Sequence, residues 1–131
     1  MRRKEVLTGS REFGAVYNKG KSVGDRYVVL FYKKNGLPYT RTGFLASKKV
    51  GNAVMRNRAR RLMKESVRLM DPLPAGYDII FIARNTIEGK SCKEVQRYIA
   101  SAVRRAGLRR EDSKKKGKSD SSKRQQNAEG R

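Results

Sequence analysis

Apolar and polar positions alternate along the chain with two different periods, and those periods outline its elements. From Thr8 or Ser10, either of which can cap a helix, to about Asn18, the apolar residues are Phe13, Val16 and Tyr17. They are spaced i, i+3, i+4 along one helical ridge, and Lys19-Gly20 supplies the stop. Val16 is expected in the core, and the two aromatics are either core or half-exposed stacking platforms. Arg26 to Lys34 (RYVVLFYKK) is β-branched and aromatic, the composition of a strand. Asn35-Gly36-Leu37-Pro38 reads as a turn, and Tyr39 to Ser47 as the returning strand of a hairpin. Along the first strand, Tyr27, Val29 and Phe31 share one face and Val28, Leu30 and Tyr32 the other. Both faces are apolar, so the sheet is covered on both sides or presents an aromatic face to a ligand.

From Ala53 the chain has no Gly or Pro until Pro72 and is rich in good helix formers, with Asn52 or Gly51 as the cap. At about 100° per residue, Met55, Ala59, Leu62, Met63, Ser66, Leu69 and Met70 form the buried stripe. Arg56, Asn57, Arg60, Arg61, Lys64 and Arg68 fall on the opposite side, with Arg58 near one edge of the stripe. Asp71 to Gly76 breaks the helix, and Tyr77 to Arg84 is a nearly continuous apolar run, the pattern of a central strand. Ser91 to Ala106 reads as a helix with Val95, Tyr98, Ile99, Ala102 and Val103 inward, ended by Gly107. The pattern order α-β-β-α-β-α defines a single-domain α+β sandwich, helices packed on one side of a sheet. Residues 1–7 read as a basic extended arm. Residues 1–107 form the domain. Residues 108–131, with nine Lys/Arg, four acids and almost nothing apolar beyond Leu108, read as a basic disordered tail.

Charge sharpens this outline. The chain of 131 residues carries a formal charge of +21, which implies a polyanionic partner. No apolar run is long enough to cross a membrane and no signal peptide is present, so a nucleic acid is expected and not a bilayer. Between Lys48 and Arg68 there are eight Lys/Arg (Lys48, Lys49, Arg56, Arg58, Arg60, Arg61, Lys64 and Arg68) and a single acid, Glu65. Solvated helices usually mix Glu with Lys at i, i+4. Here Arg56, Arg60, Lys64 and Arg68 repeat the same sign at that spacing, an arrangement that makes sense when a polyanion neutralises it. The preference for Arg suits bidentate phosphate contacts.

Other chemistry is excluded by what is missing. There is no His and one Cys, so no zinc cluster and no Cys/His or Ser/His nucleophile can be built. Glu111-Asp112 in the tail is the one close carboxylate pair, and a two-metal nuclease needs several acids converging. The chain is therefore expected to bind nucleic acid without cutting it. Cys92 cannot form an internal disulfide and fits a reducing cytoplasm.

The stretch SKKVGNAVMRNRARRLMKE resembles the signature of the protein subunit of bacterial ribonuclease P, with Arg56-Asn57-Arg58 as its RNR motif. The resemblance covers roughly Leu7 to Ala106. It includes Glu12-Phe13, Tyr17 and Lys19-Gly20 near the start, Ser22 before Tyr27-Val28-Val29-Leu30-Phe31, and Asp78-Ile79-Ile80-Phe81-Ile82-Ala83-Arg84. It implies a fold of αβββαβα-like order, like the second domain of a small-subunit ribosomal protein. Within Tyr39 to Arg84, the basic helix would connect two parallel strands by a left-handed crossover, against the usual right-handed rule. It also implies a cleft between the first helix and the sheet, holding the single-stranded 5′ leader of precursor tRNA on Phe13, Tyr17 and Phe31. Lys48, Lys49, Arg56, Asn57, Arg58, Arg60, Arg61, Lys64 and Arg68 would dock on the catalytic RNA subunit. Asn57 and Arg58 would also help place RNA phosphates and hydrated metal. Phosphodiester hydrolysis would belong to that RNA and its Mg²⁺ ions, with no protein partner required. A small basic ribosomal RNA-binding protein is the alternative that charge and size fit equally well.

Overall fold

A computed structural model describes residues 6–7, 9–70 and 72–108. The elements are α1 (Gly9–Lys19), β1 (Lys21–Gly24), β2 (Val28–Lys34), β3 (Arg41–Ala46), α2 (Ala53–Leu69), β4 (Tyr77–Ala83) and α3 (Cys92–Arg105). The family's order of elements is present. The short polar strand β1, which the apolar pattern alone misses, completes it. Thr8 and Asp71, the arm up to residue 5 and the tail from residue 109 lie outside the described residues.

The four strands lie in the order β1-β2-β4-β3. β4 pairs antiparallel with β2 and parallel with β3, and α2 connects the two parallel strands. This corrects the hairpin reading of Asn35-Gly36. β2 and β3 are not neighbours, because β4 lies between them. The reason is burial: every residue of β4 from Asp78 to Phe81 is buried, and such a run must sit in the middle of a sheet. The six residues between β2 and β3 instead step across the start of β4. Asn35 holds them there, its backbone N–H donating to Gly76 O at 2.9 Å and its side-chain amide to Asp78 Oδ1 at 2.8 Å.

Helices cover both faces, not one. On β4, Ile79, Phe81 and Ala83 join the larger core under α2 and α3, while Ile80 and Ile82 pack with α1. Phe81 is fully buried and stacks on Phe44 with ring centres 5.1 Å apart. Tyr27 also departs from the simple alternation. It precedes β2, in a turn where the Asp25 carboxylate accepts the N–H groups of Tyr27 and Val28 at 2.8 and 2.9 Å. The turn sends its ring to the α3 side, where its hydroxyl donates to Glu94 at 2.7 Å.

Asn52 caps α2 by accepting the Met55 N–H at 3.0 Å. Ala59, Met63 and Ser66 are the buried centre of its stripe. Ser66 is satisfied there by donating to Leu62 O at 2.8 Å. Leu69, predicted in the stripe, is 51% exposed, and Val67 packs in its place. Leu73, from the loop before β4, packs against the same core. Ser91 caps α3, and Gly107, at φ 78°, ends it in the left-handed region that glycine adopts without strain. Leu108 is only 3% exposed and donates its N–H to Val103 O, so the packed part extends one residue into the segment read as tail.

Candidate nucleic-acid interface

The sequence nominates two groups of residues, a cationic helix face and three aromatics. α2 projects the first group. Asn57, Arg58, Arg61, Lys64 and Arg68 are exposed, and Arg56 and Arg60 are half-buried. Arg60 donates to the Asn57 side chain within the helix, and Arg68 pairs with Glu65 at 2.5 Å. Among the described residues Arg68 is therefore the one cation of this face with a carboxylate partner, and its charge is partly quenched. Arg56 folds back toward Gly51 O at 3.4 Å. Lys48 and Lys49 are exposed on the turn that leads into α2.

The aromatics come from α1 and β2. Tyr17 is 37% exposed and meets the edge of Phe31, ring centres 5.1 Å apart. Partial burial pushes the Tyr17 phenol up from its ordinary value. Phe13 and Phe31 are half-buried against a small cluster of Leu7, Val16 and Ile80. Phe13 sits over Gly43 of β3. A methyl group there would approach its ring to 2.7 Å, so glycine provides the seat for the ring.

What joins the two groups is a groove of about 980 Å³ along the β3 edge of the sheet. Phe13, Leu7 and Val67 form apolar parts of its wall, and Asn57, Arg60, Arg61, Lys64 and Arg68 line its other side. Tyr17 and Phe31 lie outside this groove, further along the α1-covered face. Arg58 also leaves the set. It lines a separate hollow of about 250 Å³ with Met55, Leu62 and Lys90. The cationic helix thus divides its side chains between two surfaces, which a helical wheel alone does not reveal.

Several residues that build the site were given no part in it by the sequence pattern. Val6 bridges Thr42, and the Leu7 N–H donates to Thr42 O at 2.9 Å, so Val6-Leu7 is stitched to the β3 edge and lines the groove. The apolar pair Val6-Leu7 inside a basic segment was the available signal. Arg41 is the other. It forks onto Asp78 through Nε at 2.8 Å and Nη2 at 2.6 Å, and reaches Glu12 at 2.8 Å. This ties α1, which carries Phe13 and Tyr17, to β3 and β4. Burial alone pushes the Asp78 carboxyl up. Hydrogen bonds from Arg41 and Asn35 and the charges of Arg41 and Lys33 outweigh that and hold it below the usual carboxylate range. The bond from Asp78 in turn raises the Arg41 guanidinium.

This arrangement defines a single-domain α+β protein with a polycationic crossover helix beside an aromatic ridge. The family model described as Ribonuclease P matches residues 1–107. The ribonuclease P protein component of Pelotomaculum thermopropionicum is 40% identical over 107 residues, covering 81% of this chain and 96% of that one. The component from a Thermoanaerobacter species is 51% identical over 89 residues, 66% and 77% of the two chains. Among solved structures, the Staphylococcus aureus RNase P protein matches with a TM-score of 0.72 at 28% identity, covering 79% of this chain and 96% of that one. The RNase P protein from Thermotoga maritima matches at 0.70 and 30%, covering 77% and 96%. The chain belongs to the ribonuclease P protein family, whose members are protein components of an endoribonuclease complex of tRNA processing. That membership sets aside the ribosomal-protein alternative. Among the described residues, no helix is long and apolar enough to cross a membrane.

Proposed function

We propose that the chain serves ribonuclease P by gripping two RNA elements, the single-stranded 5′ leader of precursor tRNA and the enzyme's catalytic RNA. The observation that carries this reading is the shared groove, in which the Phe13 ring and the cations of α2 line one space. Single strands are held by stacking bases on aromatic rings inside a positively charged channel. Phe13 and the Tyr17–Phe31 pair offer the rings, beside the positive field of α2. Lys48, Lys49, Arg56, Arg58, Arg60, Arg61, Lys64 and Arg68, with Asn57, dock on the RNA subunit. Arg41, held by Asp78 and Glu12, keeps α1 at the height over the sheet that leaves its aromatics reachable.

Hydrolysis of the phosphodiester is assigned to the RNA subunit and its Mg²⁺ ions, which supply an activated water when bound. Among the described residues no three His, Cys, Asp or Glu come together as a ligand set, so those residues do not fit the metal. Its part is to bind and orient.

The test uses the reconstituted holoenzyme. Phe13→Ala or Phe31→Ala should weaken binding of leader-bearing precursor by ~1–3 kcal/mol each, the usual worth of a base–aromatic stack. Binding of mature tRNA, which has no leader, should hardly change. Parallel losses for both ligands would return the aromatics to a packing role.

A further inference from the structure

A second cationic surface lies at the other edge of the sheet, and the groove does not account for it. α2 packs over β3 and β4, whereas α3 packs over β1 and β2. At that far edge two tyrosine rings meet edge to face, Tyr27 and Tyr98, with centres 4.9 Å apart. The guanidinium carbon of Arg26 lies 6.0 Å from the Tyr98 ring centre and that of Arg97 lies 5.7 Å from it. Lys90 Nζ lies 5.8 Å from the centre of the Tyr27 ring. Two more cations brace the turn that carries Arg26. Arg84 donates to Asp25 O at 3.2 Å, and Arg105 donates to Gly24 O at 3.3 Å.

These five side chains are exposed, and none has an ion-pair partner among the described residues. Two acids lie close by: Glu94 accepts the Tyr27 hydroxyl, and Asp25 accepts two backbone N–H groups on Oδ1 while its Oδ2 is buried without a hydrogen-bond partner. Two guanidinium groups on one ring repel each other. A cation–π contact at an exposed site contributes only about 0.5–1 kcal/mol, so the cluster gains little by itself. It gains much more from an anion that meets Arg26, Arg97 and Lys90 together, because charge-assisted hydrogen bonds to a phosphate are stronger than the ring contacts.

We propose that this edge, built from the Gly24–Arg26 turn and the outer side of α3, is a second RNA-docking surface that binds a phosphate backbone. The protein then clamps two separate segments of the catalytic RNA, one at each edge of its sheet. The proposal rests on the reading that the chain binds that RNA.

The experiment is hydroxyl-radical footprinting, with affinity measured across a salt series, on the full-length chain and the ribonuclease P RNA transcribed from the same genome. The variant Arg26→Glu/Arg97→Glu should lose protection of one RNA segment and keep the segment that Arg60→Ala/Lys64→Ala loses. Its log K against log salt should be shallower by roughly 1.4–1.8, since each lost phosphate contact removes roughly 0.7–0.9. Tyr98→Leu, which keeps bulk but loses the ring, should weaken the same segment with the Arg60 segment intact. A wild-type footprint and slope in both variants would overturn the proposal, and so would loss of one common segment by variants at both edges. An unchanged RNA footprint with weakened binding to polyglutamate would assign the surface to an acidic protein and also overturn it. Failure of the unaltered chain to bind the RNA would instead sink the underlying functional reading, and this surface with it.

Discussion

The two faces of the sheet are covered in very different ways. Under α2 and α3 the side chains of Leu30, Met63, Ile79, Phe81, Val95 and Ile99 are essentially inaccessible, and they form one continuous core. Under α1 only Leu7, Val16 and Ile80 are buried, while Phe13, Phe31, Leu45 and Ile82 remain half-covered. An eleven-residue helix cannot roof the whole width of a four-stranded sheet. One face therefore carries the stability, and the other keeps apolar and aromatic surface within reach of a ligand. On the proposed reading the thin face, with Phe13 and Phe31 half-covered and Tyr17 exposed, is the one that meets the leader.

That contrast can be broken at its strongest point first. Phe81→Ala on the thick face should destabilise the protein by about 3–5 kcal/mol, because it removes a fully buried ring and leaves a cavity. Urea unfolding measures it. At temperatures where the variant is folded, precursor and mature tRNA should be bound with the same ratio as by the unaltered chain. A selective loss of precursor binding would mean that the two faces are not separable in function.

The Arg41–Asp78 pair sits between the faces, and its effect should come next. Asp78→Ala should cost about 3 kcal/mol, since it leaves the half-buried Arg41 without its two-pronged partner. The sign of the pH dependence follows from the carboxyl being held below its ordinary value in the folded protein. Its stabilising contribution is fully present above the unfolded value, about 3.9, and is lost as pH falls through the lower folded value. Unfolding free energies of the unaltered chain should therefore fall steeply below about pH 4, more steeply than those of Asp78→Ala. Superimposable acid limbs for the two would remove the pair from the account.

The smallest stability effect belongs to the helix face that carries the most charge. Arg60→Ala and Lys64→Ala should change folding by no more than about 0.5 kcal/mol, as surface substitutions do. Each should nevertheless flatten the salt dependence of binding to the RNA subunit by roughly 0.7–0.9 in log K per log salt. Slopes equal to that of the unaltered chain would sever the groove from RNA docking.

What the sequence alone determined was local in origin. The 3.6-residue spacing of Ala59, Met63 and Ser66, the Asn52 and Ser91 caps and the Gly107 stop set α2 and α3 nearly to the residue. These depend on contacts within a turn or two of chain. The nearly continuous apolar run of β4 marked a central strand for the same reason, since only burial on both sides tolerates it. The density of Arg from Arg56 to Arg68 announced a polyanion, because charge needs no fold to be counted.

Tertiary structure decided everything that depends on which distant segments meet. An Asn-Gly turn after β2 reads as a hairpin, but the loop is drawn across the sheet because Asn35 binds Gly76 and Asp78, more than forty residues away. The side that α1 takes, the rotation that exposes Leu69 and buries Val67, and the contact of Val6-Leu7 with Thr42 follow from the packing of whole elements. The division of the α2 cations between the Phe13 groove and the Arg58 hollow does so as well. The cluster around Tyr98 is the clearest case. Arg26, Lys90 and Arg97 are spread over seventy residues of sequence with no shared motif, and only the docking of α3 against the β1–β2 edge brings their charges onto two touching rings. Side-chain charge is a property of each residue, but its concentration at one place is a property of the fold.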